Sequence, residues 1–202
     1  MTHSIFLEER KSRERDYHNF IRGTEVQRDP PTKKHYTSNA KYYSVHGLQV
    51  QAVEQWWSEN LPGRTVLDYC CGNGKFSIDM AHHQPGRIVG IDISDVSVTN
   101  SRSLVEQNGL SHLCEFHVMD AEETGFADNT FDVVNERGVL HHLDLERAYA
   151  EIARILKPEG AAICQEAVRH NPIIQLYRRM TPHLRTACEV DHILGKKEIR
   201  LA

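Results

Sequence analysis

The sequence contains no run approaching the roughly 20 apolar residues of a membrane span. Its charged beginning, Met1 to Lys11, lacks the apolar stretch of a secretion signal. Basic charge is not in excess: 24 Lys and Arg against 28 Asp and Glu leave a net charge of −4, so nothing points to a polyanion-binding surface. Cys70, Cys71, Cys114, Cys164 and Cys188 are odd in number and lack metal-site spacing, which reads as reduced, mostly buried thiols. The histidine pairs His82-His83 and His141-His142 are sequence neighbours, which does not suit ligands converging from one helical face, and no metal is expected. What these absences leave is a soluble, cytoplasmic globular chain, with 202 residues to build one domain and an appended segment.

Positive signals begin after residue 45. Residues 1–45 are polar and read as a cap or lid outside the core, with Tyr36, Tyr42 and Tyr43 as the side chains that fold over a ligand. From Gly47 to Asn60, Val50, Val53 and Trp57 recur at helical spacing, and Pro62-Gly63 ends the run. Then apolar runs alternate with helical patterns. Strands are expected at Thr65–Cys70, Arg87–Ile93, Leu113–Met119, Phe131–Asn135 and Ala161–Glu166. Between them, Ser94 and Asp144 stand where helix N-caps are needed, Asn108-Gly109 ends one helix, and Pro158 with Gly160 stops another. This alternation predicts βαβ units: an α/β, Rossmann-like, doubly wound and mainly parallel sheet with helices on both faces, spanning 46–168.

In such a sheet a ligand sits beyond the carboxyl ends of the strands. The first strand runs into Asp68-Tyr69-Cys70-Cys71-Gly72-Asn73-Gly74, where two glycines permit a tight turn and close approach of a ligand. Asp92 ends the second strand, where a carboxylate can accept from both hydroxyls of a ribose. Asp120 follows the third, where it can accept from an adenine amino group while a backbone N–H serves the ring. Each acid alone is easily structural; three at successive strand ends suit an adenosine-containing ligand. A dinucleotide is disfavoured because the third glycine of G-x-G-x-x-G is Ser77 here, and Asp68 would repel a pyrophosphate. That carboxylate would instead attract an ammonium or sulfonium group.

With these residues in view, Val66 to Gly74 resembles motif I of class I S-adenosylmethionine (SAM) dependent methyltransferases. Gly90 to Ser94 resembles their acidic second motif. Asp120-Ala121-Glu122, Phe126 to Val134, Leu140 to Leu143 and Leu156 to Gly160 follow in the order of the small-molecule enzymes of the ubiquinone/menaquinone and type 11 groups. The resemblance implies SAM as cofactor and a small-molecule methyl acceptor. It implies Asp68, Cys70, Gly72, Asn73 and Gly74 near the methionine end, Asp92 on the ribose, Ile93 on adenine, and Asp120 with Ala121 at its edge. Glu136 and Arg137, just past the fourth strand, would flank the methyl-donor side, and His142, or second to it His141, would face the substrate. If the acceptor is a hydroxyl or a protonated amine, His142 is the candidate general base.

Two departures stand out. The first glycine of motif I is Cys70, a small residue that the loop tolerates if it keeps a negative φ. The two further strands that complete the family's seven-stranded sheet are missing: 169–202 reads as a helical and loop segment, truncated, with Lys197–Leu201 as a faint strand. An uncovered sheet edge would favour self-association. A non-catalytic regulatory or scaffolding relative with the same fold is the second reading, and an NAD-dependent dehydrogenase the third.

Overall fold

Period-two alternation in short apolar runs builds the sheet. In the computed structural model, which describes residues 2–25, 46–166, 168, 169, 172, 176, 180 and 194–201, five strands pair entirely in parallel. They are β1 (Thr65–Tyr69), β2 (Arg87–Asp92), β3 (Cys114–Val118), β4 (Phe131–Arg137) and β5 (Leu156–Gln165). Their spatial order is β3-β2-β1-β4-β5. Neighbouring residues along a strand face opposite layers, so Val66, Ile88 and Val133 join one core while Leu67, Val89 and Val134 join the other. Both faces are therefore dry, which accounts for the near-continuous apolar runs.

The helices α1 (Thr2–Glu25), α2 (His46–Asn60), α3 (Lys75–Ala81), α4 (Asp95–Gln107), α5 (Leu145–Ile155) and α6 (Lys196–Ile199) complete the described elements. Met80 of α3 and Val98 and Val105 of α4 cover one face, with Val53 and Trp57 of α2. Ala148, Ile152 and Ile155 of α5 cover the other. Both expected caps form: the Ser94 hydroxyl accepts from Ser97 N at 3.0 Å, and the Asp144 carboxylate accepts from Arg147 N. Among the described residues no helix is long and apolar enough to cross a membrane.

Three local expectations are corrected. Val50 of α2 is 45% exposed, so only the second half of that helix packs. The helix before β5 stops at Ile155 and β5 starts at Leu156, because Pro158 disfavours helical backbone at Lys157. Pro158 itself is exposed at an irregularity in the pairing of β4 and β5, where its missing N–H costs little. Lys197–Leu201 is not a strand; α6 occupies it, with Glu198 accepting from Gly195 N at 2.8 Å. Among the described residues the sheet has five strands.

This order places the site. The chain runs outward from β1 to β3, then returns to lay β4 against the other side of β1, with Asp68 beside Asn135 and Tyr69 beside Glu136. The reversal opens a crevice beyond the carboxyl ends of β1 and β4.

Candidate active site

At the end of β1 the backbone turns left-handed three times: Cys70 at φ 59°, Gly72 at φ 54° and Gly74 at φ 77°. Glycine is suited to such a turn; Cys70 is not, and the expected negative φ is corrected. Burial pushes the Cys70 and Cys71 thiols well up, which keeps them protonated and argues against thiol chemistry. A Cβ on Gly74 would lie 2.9 Å from the Ser101 side chain, so this glycine serves the close approach of loop and α4. It does not line the cavity.

Behind the loop runs a buried polar chain. Trp57 Nε1 donates to Asn135 Oδ1 at 3.1 Å, and Asn135 Nδ2 donates to Asp68 Oδ1 at 3.3 Å. Ser77 Oγ donates to Asp68 Oδ2 at 2.6 Å. Burial outweighs these bonds and lifts Asp68 to about 6. At the end of β2, Asp92 accepts from Gly72 N and Ser94 N, each at 2.9 Å, clamping the glycine loop to the next helix. Burial still raises Asp92 above the ordinary carboxylate range. Beyond β3, Asp120 Oδ1 accepts from Glu122 N at 2.9 Å, and Tyr69 OH donates to the Ala121 carbonyl at 2.6 Å.

These groups surround a cavity of about 440 Å³, within the range of small-ligand sites. Of the residues singled out in the sequence, Asp68, Cys70, Gly72, Asn73, Asp92, Ile93, Asp120, Ala121, Arg137 and His142 line it. Glu136 does not. It lies within β4 rather than past it, fully buried, where its carboxylate accepts from Val139 N at 2.7 Å and shapes the turn at the strand end. Burial, together with the charge of Glu166 beside it, pushes Glu136 above the ordinary carboxylate range. Arg137, the last residue of β4, places its guanidinium 4.2 Å above the Phe76 ring, a cation–π contact on the cavity wall. His141 and His142 part company: His141 Nδ1 lies 2.8 Å from Glu166 and stays off the cavity, whereas His142 lines it.

A further side of the cavity comes from α1, whose individual residues carry no distinguishing mark in the sequence. Arg10, Lys11, Glu14, His18 and Arg22 of α1 line the cavity from one stripe of that helix. Lys11 pairs with Asp120, and Arg10 with the fully buried side chain of Glu122. Asn19 accepts from Ser94 Oγ at 2.6 Å and donates to Asp95 at 2.7 Å. A three-to-four spacing of polar residues was the available signal, but a solvated helix looks the same. Tyr36, Tyr42 and Tyr43, the expected lid side chains, lie outside the described residues, as does most of the Arg-rich stretch after Val168.

A nucleoside with an amino-acid tail fits this lining on the observations of the site itself. Ser97 Oγ is buried on the cavity wall and has no hydrogen-bond partner among the described residues, so it has capacity for a bound polar group. A Cβ on Gly72 would meet only the Arg22 guanidinium, at 3.6 Å, so the loop backbone is open to close approach. Among the described residues no cluster of metal-ligating side chains forms.

Residues 67–164 match a methyltransferase domain family. Over 131 residues the chain is 33% identical to a demethylmenaquinone methyltransferase of Symbiobacterium thermophilum, covering 59% of this chain and 52% of that protein. Over 108 residues it is 35% identical to 24-methylenesterol C-methyltransferase 2 of Arabidopsis thaliana, covering 53% and 30%. Among solved structures, the [4+2]-cyclase SpnF superposes with a TM-score of 0.54 at 29% identity, covering 59% of this chain and 46% of that one. The chain thus spans about half the length of the curated demethylmenaquinone methyltransferases it matches.

Proposed function

Because residues 67–164 match a methyltransferase domain family, we propose that this chain binds SAM in the β1–β4 crevice and transfers its methyl group to a small-molecule acceptor. The observation that carries this is the convergence of Asp92, Asp120, Gly72 and Ser97 on one cavity. Asp92 is suited to accept from ribose hydroxyls, and Ile93 to pack against adenine. Asp120 and the Ala121 backbone are suited to its edge, once Lys11 yields the carboxylate. Asp68, Cys70, Gly72 and Asn73 would face the amino-acid end, with Gly74 in support of the turn. Residues 46–168 act as the catalytic core, and 1–45 supply the cap.

When bound, the sulfonium supplies an electrophilic methyl group. The chain's task is then mainly geometric: hold donor and acceptor in line and exclude water, an effect that can contribute several kcal/mol. Phe76, Val139 and Leu143 supply the dry wall, and α1 supplies the cover. Arg137 stays on the methyl-donor side through its stacking on Phe76. Glu136 is not assigned a contact with ligand; it supports the turn that carries His142.

A second reading keeps the ligand and drops the methyl transfer, and the likeness to a [4+2]-cyclase favours its consideration, since one fold hosts different chemistries. Thermal unfolding tests the shared part. At about 100 times its dissociation constant, S-adenosylhomocysteine should stabilise the chain by about 2.7 kcal/mol, raising Tm by roughly 5–10 °C. NAD should not. Equal shifts with both, or none with either, would contradict the assignment. Methylated product from labelled SAM separates the two readings.

A further inference from the structure

We propose that Lys11 of α1 is a handover residue at the adenine position: it holds Asp120 until ligand binds, then yields that carboxylate to the purine amino group by moving onto Glu122. Recognition of the amino group and seating of the cap helix become one event. The inference rests on the SAM-site reading above and deepens it.

Lys11, Asp120 and Glu122 line the same cavity. Both oxygens of Asp120 are engaged: Oδ1 accepts from Glu122 N at 2.9 Å, and Oδ2 pairs with the Lys11 ammonium. An amino group arriving at Asp120 therefore competes with an ammonium that is itself only 12% exposed. Simple expulsion of Lys11 would strand an enclosed charge, a cost that one neutral hydrogen bond does not return. A second seat removes that cost.

The seat is Glu122, whose side chain is fully buried. Its two oxygens are unequal. Oε1 accepts from Asp144 N at 2.8 Å and pairs with Arg10. Oε2 is buried and has no hydrogen-bond partner among the described residues. Two cations stand just outside ordinary hydrogen-bond length of it, Lys11 Nζ at 3.4 Å and Arg147 Nε at 3.5 Å. A buried carboxylate oxygen without a donor is costly, so Oε2 has capacity for one. Arg147 is 41% exposed and also reaches Glu123, whereas Lys11 is enclosed by the cavity wall. A shift of about 0.5 Å gives Lys11 the missing hydrogen bond.

The exchange keeps Lys11 paired throughout. Asp120 trades an ammonium for a neutral amino donor, which its 30% exposure and its bond from Glu122 N make tolerable. Glu122 gains the ammonium beside the Arg10 guanidinium, so consecutive residues of α1 converge on one carboxylate. That carboxylate also accepts from the N-cap residue of α5, which ties α1 to the start of α5. A purine without the amino group makes no claim on Asp120 and leaves Lys11 in its first seat.

The test uses the full chain as wild type, Lys11→Met, Glu122→Gln and the double variant, with folding checked by circular dichroism. Calorimetry compares S-adenosylhomocysteine with an analogue lacking the purine amino group. Glu122→Gln keeps the acceptor at Oε1 and removes the charge that receives Lys11. It should weaken S-adenosylhomocysteine binding about tenfold, whereas the same change in the Lys11→Met background should cost less than about threefold. The analogue should lose less than about threefold in either background. In the wild type, which needs no variant to fold, the carboxyl-carbon NMR resonance of Glu122 should move on binding S-adenosylhomocysteine and not on binding the analogue. A Glu122→Gln loss that persists without Lys11, or is equal for the analogue, makes Glu122 a structural anchor only and overturns the handover. So does the absence of any loss, or a Glu122 resonance that moves equally with both ligands. Failure of the wild type to bind S-adenosylhomocysteine at all defeats the SAM-site reading, and the handover with it.

Discussion

Cys70 occupies a backbone position that favours glycine, at φ 59° in the turn that leaves β1. Holding a side chain in the left-handed region costs roughly 1–2 kcal/mol, part of which glycine would return as unfolded-chain entropy. Cys70→Gly is therefore expected to stabilise the chain by about 0.5–1 kcal/mol, a rise of a few degrees in Tm by calorimetry; a fall would show that the thiol's packing outweighs the backbone. Asp68 makes a pH prediction. Its folded-state value, about 6, lies above the ordinary 3.8 because burial outweighs the Ser77 and Asn135 bonds. Its contribution to stability is thus fully present below pH 4 and is lost as pH rises through 6, a fall of about 2–3 kcal/mol. Asp68→Asn should remove that fall, so urea unfolding should favour the variant more at pH 7.5 than at pH 4.5. Parallel changes at both pH values would contradict it. The three strand-end acids could be singled out in the sequence because strand period and glycine turns fix where strands stop. The sign of φ at Cys70 could not, because residue identity there argued for the opposite conformation.

Most individual elements were legible for similar reasons. Caps such as Ser94 and Asp144, and breakers such as Gly109, act locally and leave local marks. Helix α1 was harder: its site-facing side chains are charged, and only their partners on other elements distinguish them from a solvated stripe. Ser94 is the joint between the two cases. Its hydroxyl caps α4 and donates to Asn19 of α1. Ser94→Ala should cost about 1–2 kcal/mol in denaturant unfolding, since cap and tether go together. It should also weaken S-adenosylhomocysteine binding by loosening α1 over the cavity. Full stability with unchanged binding would mean that α1 is held elsewhere.

At the scale of the molecule, the return of the chain from β3 to β4 gathers residues from both halves of the sequence into one crevice. Parallel βαβ alternation made the sheet predictable, whereas the interlocking of α1 with that crevice arises from tertiary contacts that periodicity does not encode. The stretch that matches the methyltransferase domain family, residues 67–164, carries both Asp92 and Asp120. Calorimetric titration of the chain with SAM, with NAD in parallel and Asp92→Ala as control, bears on the site most directly. Binding in the micromolar range is expected with SAM alone, weakened at least tenfold by Asp92→Ala, about 1.4 kcal/mol or more. Equal binding by Asp92→Ala, or heat with NAD and none with SAM, would show that the crevice is not a SAM site.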